Sequence, residues 1–214
     1  MEKFKEYKKT IIITSIITLL PIVIGLILWN KLPDEVATHF GSNGEPNGWS
    51  SKFFAVIGFP VFLVFVHFLG FVATVADPKK NKIGDKIFKL VLWICPAVSW
   101  FGAFSIYGYE LNLGINVEAI AFLLLGVIFI VVGNYLPKCR QNYTVGIKLP
   151  WTLHDEENWN RTHRLAGWIW VIGGAIIILM SLIDFGGIFP MMLVLGIMVL
   201  VPVFYSFGYY VKHK

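Results

Sequence analysis

The sequence predicts an all-α integral membrane protein with six transmembrane helices and with the N- and C-termini in the cytoplasm. Hydrophobic residues make up 57% of the 214 residues and charged residues only 14%, whereas roughly a quarter of the residues in a soluble domain are charged. The apolar residues also form unbroken runs, without the periodicity of a soluble chain. Finally, lysine and arginine concentrate in alternate loops, which predicts an orientation.

Six apolar runs are long enough to cross a bilayer, because about 20 residues span a hydrocarbon layer of ~30 Å at ~1.5 Å per residue. Buried helices of a soluble protein would need a polar coat, which this composition does not provide. The predicted spans are Thr10–Trp29, Phe53–Ala76, Ile87–Tyr109, Val117–Leu136, Leu165–Ile183 and Ile188–Tyr210.

The positive charges predict the orientation, because cytoplasmic loops of membrane proteins carry an excess of lysine and arginine. With the N-terminus inside, the inner segments hold 16 of the 18 Lys and Arg residues, and the outer segments hold only Lys31 and Lys52. The net charge of +5 therefore follows from topology, and no direct contact with nucleic acid is predicted. The predicted location is a cell membrane, with a multi-pass chain.

The first span follows four lysines, which is also the pattern of a cleaved secretory signal. No small-x-small cleavage site follows the run, so a retained helix is expected. Cys95 falls in the third span and Cys139 in an inner loop, which predicts that the two thiols form no disulfide bond.

Two polar segments are too long to be simple connectors, an outer loop over residues 30–52 and an inner loop over residues 137–164, whereas residues 77–86 read as a solvated charged turn. In the outer loop, the glycines and the proline between positions 41 and 48 predict turns without regular structure, folded as a compact lid. Trp49 suits an aromatic anchor at the membrane interface as well as a ligand site. The candidate binding residues of this loop are His39, Asn43, Glu45, Trp49 and Lys52.

In the inner loop, Thr152 followed by Asp155 resembles a capping box, and the acids that begin at Asp155 suit the positive end of a helix dipole. A helix should therefore begin near Leu153 and continue into the fifth span. One face of this helix, expected to pack on neighbouring helices, carries Trp159, His163, Ala166 and Trp170.

The inner loop should also form one ordered cluster, because extended backbone at a membrane boundary needs side-chain partners for its polar groups. We expect Arg164 to donate to backbone carbonyls of residues 146–150. The cluster should contain Asn142, Trp151, Thr162, His163 and Arg164.

No catalytic or metal-binding signature occurs in the sequence. His154 and His163 are nine positions apart and would point about 180° away from each other on a helix, and neither an HExxH nor a GxSxG motif is present. We therefore predict no enzyme activity, metal or cofactor. His67 is a titratable group near mid-membrane, which indicates either a proton or ligand role or a hydrogen bond to a neighbouring helix.

Two segments resemble the SdpI family. The outer loop resembles its N-terminal module, and residues 133–167 resemble its C-terminal signature, although Lys148 stands where arginine is expected. The matching residues of the outer loop are Leu32, Pro33, His39, Gly44, Pro46, Trp49 and Lys52. Those of the signature are Gly133, Asn134, Pro137, Asn142, Gly146, Ile147, Pro150, Trp151, Thr152, Trp159, Thr162, His163, Arg164 and Gly167.

The resemblance implies a multi-pass protein of the bacterial plasma membrane, of the immunity type, which protects its producer from a secreted killing peptide and draws a transcriptional repressor to the membrane. The implied partners are membrane lipid, a secreted antimicrobial peptide outside and a repressor inside. The candidate binding residues of the signature are Asn142, Lys148, Trp151, Thr152, Trp159, Thr162, His163 and Arg164. Acidic residues that would attract a cationic peptide to the outer side are Asp34, Glu35, Glu45, Glu110, Glu118 and Asp184.

A second class of function is a small transporter or a lipid-binding or lipid-modifying membrane protein. The inner loop is denser in polar and aromatic side chains than a connector needs, and its cations would hold a lipid phosphate at the inner leaflet. These cations are Arg140, Lys148, Arg161 and Arg164.

The spacing of landmarks also predicts two three-helix halves, residues 1–116 and 117–214, related as inverted repeats. Because each half would have an odd number of spans, the second half would be inverted relative to the first. Trp49 and Trp151, for example, lie late in the two long loops, at corresponding positions of the two halves.

Overall fold

A computed structural model of the protein describes residues 2–41, 44–183 and 188–213. Over these residues, six helices are long and apolar enough to cross a membrane, which confirms the predicted architecture. The six are α1 (Glu2–Ile27), α2 (Phe59–Ala76), α3 (Asp85–Glu110), α4 (Val117–Tyr135), α6 (Glu156–Leu182) and α7 (Ile188–Lys212), and a short helix α5 (Pro150–His154) precedes α6. The side of the membrane that each terminus faces stays a prediction, as does the inverted-repeat relation between residues 1–116 and 117–214.

The chain forms two compact units. The first contains the residues up to Val75 and those of Phe88–Ile120, and the second contains Ala76–Ile87 and the residues from Ala121 onward. The helices of the first unit are joined by buried polar side chains. His67 on α2 lies 2.9 Å from the Thr14 hydroxyl on α1, and both residues are almost fully buried. Of the two alternatives for His67, the structure therefore shows the hydrogen bond to a neighbouring helix, as expected where lipid offers no other partner.

The outer loop contains a β-hairpin, so the prediction of turns without regular structure is wrong. Strands β1 (Glu35–Phe40) and β2 (Pro46–Ser51) pair antiparallel, from Glu35 opposite Ser51 to Phe40 opposite Pro46. The hairpin forms because two adjacent residues of β1, Val36 and Ala37, are fully buried, and Val36 belongs to the apolar core of the first unit. This burial outweighs the turn-forming composition of the loop.

Two charged side chains fasten the hairpin at its base. Glu110, at the end of α3, accepts a hydrogen bond from the backbone N–H of Ala37 at 2.7 Å. Lys52 pairs with Asp34 at 3.1 Å and donates to the Leu32 carbonyl oxygen at 3.1 Å, with its ammonium 5.1 Å from the centroid of the Trp29 ring. Glu110 and Lys52 therefore hold the fold together, and they contribute less to the exposed surface than the sequence suggested.

In the second unit, α4 and α6 cross closely at two pairs of glycines. A Cβ built on Gly174 would lie 2.6 Å from the carbonyl oxygen of Gly126, and one built on Gly133 would lie 2.9 Å from that of Gly167. Each helix carries its glycines seven residues apart, which places them on one face at a spacing of about two turns. Small residues at such positions let two membrane helices approach backbone to backbone.

We predict that Gly174→Ala destabilises the second unit by about 1–3 kcal/mol, because the new methyl group has no space between the two helices. The control is Gly196→Ala on α7, since a Cβ at Gly196 would meet no atom within 4 Å. Thermal unfolding of the two purified variants in detergent is the measurement. Equal unfolding temperatures for both variants would contradict the close crossing.

Candidate functional site

The second unit contains a stretch of irregular backbone at the membrane boundary, which we call the signature loop, residues 139–149. It follows the 3₁₀ turn Leu136–Lys138 and leads into α5. Several polar side chains on and around it are buried, although they belong to residue types that usually face water. They are Gln141, Asn142, Thr152, Asn158, Thr162 and His163.

Asn142 organises the first part of the loop and is fully buried. Its amide nitrogen donates to the carbonyl oxygens of Arg140 at 2.8 Å and Val145 at 3.0 Å. Its amide oxygen accepts from the backbone N–H groups of Thr144 at 2.9 Å and Val145 at 2.7 Å. One side chain thus supplies both a donor and an acceptor to backbone that has no helix or strand partner.

His163, on α6, holds the second part of the loop. Its Nε2 accepts from the backbone N–H of Ile147 at 2.9 Å, and its Nδ1 lies 2.8 Å from the Trp159 carbonyl oxygen. Since Nε2 acts as the acceptor, the proton is on Nδ1 and the imidazole is neutral. Gly146 makes the approach possible, because its φ of 122° favours glycine and a Cβ there would lie 2.5 Å from Nε2.

Trp159 packs against the imidazole of His163 and is hydrogen-bonded to the start of the loop. Its ring stacks on His163 at a centroid distance of 4.0 Å, and its indole N–H donates to the Cys139 carbonyl oxygen at 2.7 Å. Burial raises the pKa of Cys139 to about 11, against a smaller opposing effect of the Asn142 amide that donates to its sulfur. The Cys139 thiol is therefore protonated at neutral pH and a poor nucleophile.

The junction between α5 and α6 differs from the predicted capping box. Asp155, and not Thr152, caps α6, since its carboxylate accepts from the N–H groups of Glu157 at 2.8 Å and Asn158 at 3.0 Å. The long helix accordingly begins at Glu156, with α5 separate. The Thr152 hydroxyl instead accepts from the N–H of Leu149 at 2.9 Å, at the start of α5.

Helix α7 completes the cluster at Ser206. The Trp151 indole donates to the Ser206 hydroxyl at 2.9 Å, and the Asn158 amide donates to the Ser206 carbonyl oxygen at 3.0 Å. Thr162 in turn donates to the Asn158 amide oxygen at 3.0 Å. The expected face of α6 is confirmed as a packing face, because Trp159, His163 and Ala166 are buried and the Trp170 indole donates to the Met198 carbonyl oxygen at 2.9 Å.

Arg164 does not take the predicted position. The other four members of the expected cluster, Asn142, Trp151, Thr162 and His163, do make the hydrogen bonds just described, but Arg164 is exposed. Within the part of the chain that the structure describes, His163 and Thr152 hold the backbone of residues 146–150. A guanidinium is expensive to bury, whereas a neutral imidazole satisfies the same backbone at less cost.

The connection between α2 and α3 also belongs to the site, although the sequence indicated only a solvated turn. The buried carboxylate of Asp77 accepts from the N–H of Tyr143 at 2.9 Å and from the hydroxyl of Thr144 at 2.6 Å. Lys79 donates to the Gln141 amide oxygen at 2.6 Å. No local motif signals these contacts, because they join residues more than 60 positions apart in the chain.

The Asp77 carboxyl is ionised at neutral pH. Burial alone would raise its pKa, but the Thr144 hydroxyl and the backbone N–H groups of Lys79 and Tyr143 donate to the carboxylate, and the net effect lowers the pKa below its ordinary value of 3.8. A lowered pKa means that the folded protein binds this proton less tightly than the unfolded chain does. The resulting stabilisation is present above about pH 4 and is lost as the pH falls through the pKa of the folded state.

We predict that Asp77→Asn destabilises the second unit at pH 7 by about 1–3 kcal/mol, because an amide cannot accept from every donor around Asp77. The variant should also lose less stability than the parent between pH 5 and pH 3. Thermal unfolding in detergent across this range is the measurement. Glu156→Gln is the control, since its carboxylate is largely exposed and pairs with Lys82 at 3.3 Å. If the unfolding temperatures of the parent and of Asp77→Asn fell equally between pH 5 and pH 3, the lowered pKa assigned to Asp77 would be contradicted.

The candidate residues of the outer loop divide into exposed and structural ones. His39, Glu45 and Trp49 are exposed, and the Trp49 side chain reaches 59% exposure. Lys52 is mostly buried in the contacts at the base of the hairpin. Asn43 lies outside the described residues. The exposed members of this set therefore lie on a hairpin held in place by the fold.

The fold and these sites define a multi-pass helical membrane protein with an ordered hairpin on one unit and a side-chain-bonded signature loop on the other. Residues 138–206 match the SdpI/YfhL protein family, a range that begins just before the signature loop and ends at Ser206. Residues 16–64, which include the hairpin, match a domain of unknown function (DUF1648). The chain is 29% identical to the Immunity protein SdpI of Bacillus subtilis (strain 168) over 206 residues, which cover 94% of this chain and 96% of that protein. These matches confirm the resemblance to the SdpI family. No solved structure matches the chain.

Proposed function

We propose that the protein is an SdpI-like membrane immunity protein that gives resistance to a secreted killing peptide, and that the hairpin is the surface that meets the peptide. The observation that carries the proposal is the exposed indole of Trp49 on a hairpin anchored by Glu110 and Lys52. A rigid exposed aromatic side chain provides a large contact area at a low entropic cost, which is why tryptophan is frequent at binding hot spots. Similarity to a protein named for immunity supports the same function.

The charges of the hairpin indicate the chemistry of the peptide. Asp34, Glu35 and Glu45 are all exposed, and Asp34 is fully so. Lys52 is mostly buried and its ammonium neutralises the carboxylate of Asp34 at 3.1 Å, whereas Lys31, just before the hairpin, is exposed. On the hairpin itself, Glu35 and Glu45 are the exposed charges beside Trp49, so this surface is acidic and aromatic, which favours a cationic, amphipathic peptide and accelerates its approach.

On the second unit, the signature loop presents a different surface. Its buried polar groups are hydrogen-bonded within the protein, whereas Arg140 and Lys148 on the loop and Arg164 on α6 are exposed. Because the loop is held by hydrogen bonds to α5, α6 and the connection between α2 and α3, these cations stand on an ordered frame. We propose that this cationic surface recruits a cytoplasmic regulator with an acidic face.

The immunity proposal is tested by expressing the protein in a bacterial strain that is sensitive to a killing peptide of this class and measuring survival. We expect protection by the parent and about a tenfold loss of protection by Trp49→Ala, the scale of one hot-spot side chain. Trp168→Ala is the matched control, because this tryptophan is 68% exposed on α6 and lies outside the hairpin. Immunoblots of membranes keep expression levels comparable.

Absence of protection by the parent against every peptide tested would contradict the immunity function itself. Equal protection by the parent, Trp49→Ala and Trp168→Ala would leave immunity intact but remove the hairpin from its mechanism.

For the regulator, we predict that a photocrosslinking amino acid at position 164 forms a protein adduct in living cells and that the adduct increases when the killing peptide is added. Position 168 is the control, since its side chain is exposed on the apolar part of the same helix. An adduct whose yield is the same at both positions, or is unchanged by the peptide, would contradict recruitment through the signature loop.

A further inference from the structure

A cleft with cationic and aromatic lining lies between the first turns of α6 and the last turns of α7 in the second unit. It has a volume of about 490 Å³, within the range of roughly 300–1,000 Å³ that is typical of small-molecule sites. Each helix contributes a cation, Arg161 from α6 and Lys212 from α7. The cleft is lined by Arg161, Phe204, Tyr205, Gly208, Tyr209, Lys212 and His213.

Arg161 is oriented before any ligand arrives. Its Nε and Nη2 atoms each lie 2.8 Å from one carboxylate oxygen of Glu157, and its guanidinium carbon lies 5.4 Å from the centroid of the Tyr209 ring. Glu157 therefore engages one edge of the guanidinium, and the side chain of Tyr205 forms a further hydrogen bond with it. Because a guanidinium has five N–H donors in a fixed plane, donors are left for an anion besides these two partners.

The far side of the cleft combines space with an apolar rim. Gly208 is exposed, and a Cβ built on it would meet no atom within 4 Å, so no side chain occupies the space next to it. Phe204, one turn earlier on α7, is 67% exposed. An occupant with an anionic group at the cations and an apolar chain along Phe204 would match both parts of the surface.

We propose that this cleft binds an anionic phospholipid, with the phosphate of its headgroup between Arg161 and Lys212. Two cations and the tyrosine hydroxyls are the donors that a phosphate requires, and basic pockets between transmembrane helices bind anionic headgroups in this way. The negative end of the α7 dipole and the carboxylate of Glu157 oppose an anion here. Lys212 and Arg161 respectively lie beside these two groups and offset them.

The site differs from the set of lipid-binding cations that the sequence indicated. Of the four inner-loop cations named for lipid binding, Arg161 alone lines the cleft, and its partner Lys212 comes from the last turn of α7. Arg140, Lys148 and Arg164 are exposed and do not line it. Those residues therefore provide charge-matched controls within the same protein.

The test is native mass spectrometry of the full chain released from detergent with added phosphatidylglycerol or phosphatidylcholine. We expect the parent to retain phosphatidylglycerol preferentially and the double variant Arg161→Gln/Lys212→Gln to lose about 20-fold in apparent affinity, since each cation near a membrane surface accounts for about fivefold. The control variant Arg140→Gln/Arg164→Gln removes the same charge and should lose less than twofold. Equal losses in both double variants would overturn the proposal, because they would show attraction by overall charge alone.

A second pair of variants tests the cleft without changing charge. Gly208→Phe should fill the space beside the cations and reduce retention of phosphatidylglycerol, whereas Gly196→Phe places the same ring elsewhere on α7, where a Cβ also has room. Addition of sn-glycerol 3-phosphate distinguishes the source of the phosphate. Competition by this soluble phosphate at millimolar concentration would overturn a lipid ligand in favour of a free phosphate ester, and retention that is unchanged in Gly208→Phe would overturn the cleft as the site.

Discussion

The structure of the second unit depends on one constraint: backbone without helix or strand partners must find hydrogen bonds where the protein meets the membrane. The signature loop meets this constraint with side chains from three different elements. Asn142 forms hydrogen bonds with the backbone of the loop itself. His163, on α6, and Asp77, in the connection between α2 and α3, each accept a hydrogen bond from a backbone N–H of the loop. Since each partner is buried, the loss of any one leaves a backbone group without water to replace it. The loop is therefore a single cooperative element.

This arrangement divides the residues of the signature by role. Asn142, Thr152, Thr162 and His163 bond to the protein, so their types are explained by the backbone groups that they satisfy. The same segment leaves Arg164 exposed. A motif of this kind consequently marks an ordered structural element, and the charged residues that it leaves exposed are the ones to which the proposed function assigns partner contacts.

The six helices could be predicted from the sequence because the length and apolar composition of a segment decide locally whether it can span a membrane. Most of the buried cluster could also be predicted, because polar residues near a membrane boundary need hydrogen-bond partners. Three features could not. The hairpin depends on burial of Val36 against residues distant in the chain, such as Ile106. The contacts of Asp77 depend on a turn brought next to the loop by the fold. The close crossing of α4 and α6 has a local signal in the seven-residue spacing of its glycines, but the partner helix becomes evident only in the structure.

The fold also determines which charges are available to partners. Lys52 is paired with Asp34, and the carboxylates of Glu110 and Asp77 accept hydrogen bonds from the backbone, so these side chains are turned toward the fold. The exposed charges that are left have opposite signs on the two units, acidic on the hairpin and basic on the signature loop. Such a separation selects partners by sign before any contact is made, and its reach is about one Debye length, ~8 Å at physiological ionic strength. Under the proposed function, each surface acts on partners already concentrated at the membrane, where a short range is sufficient.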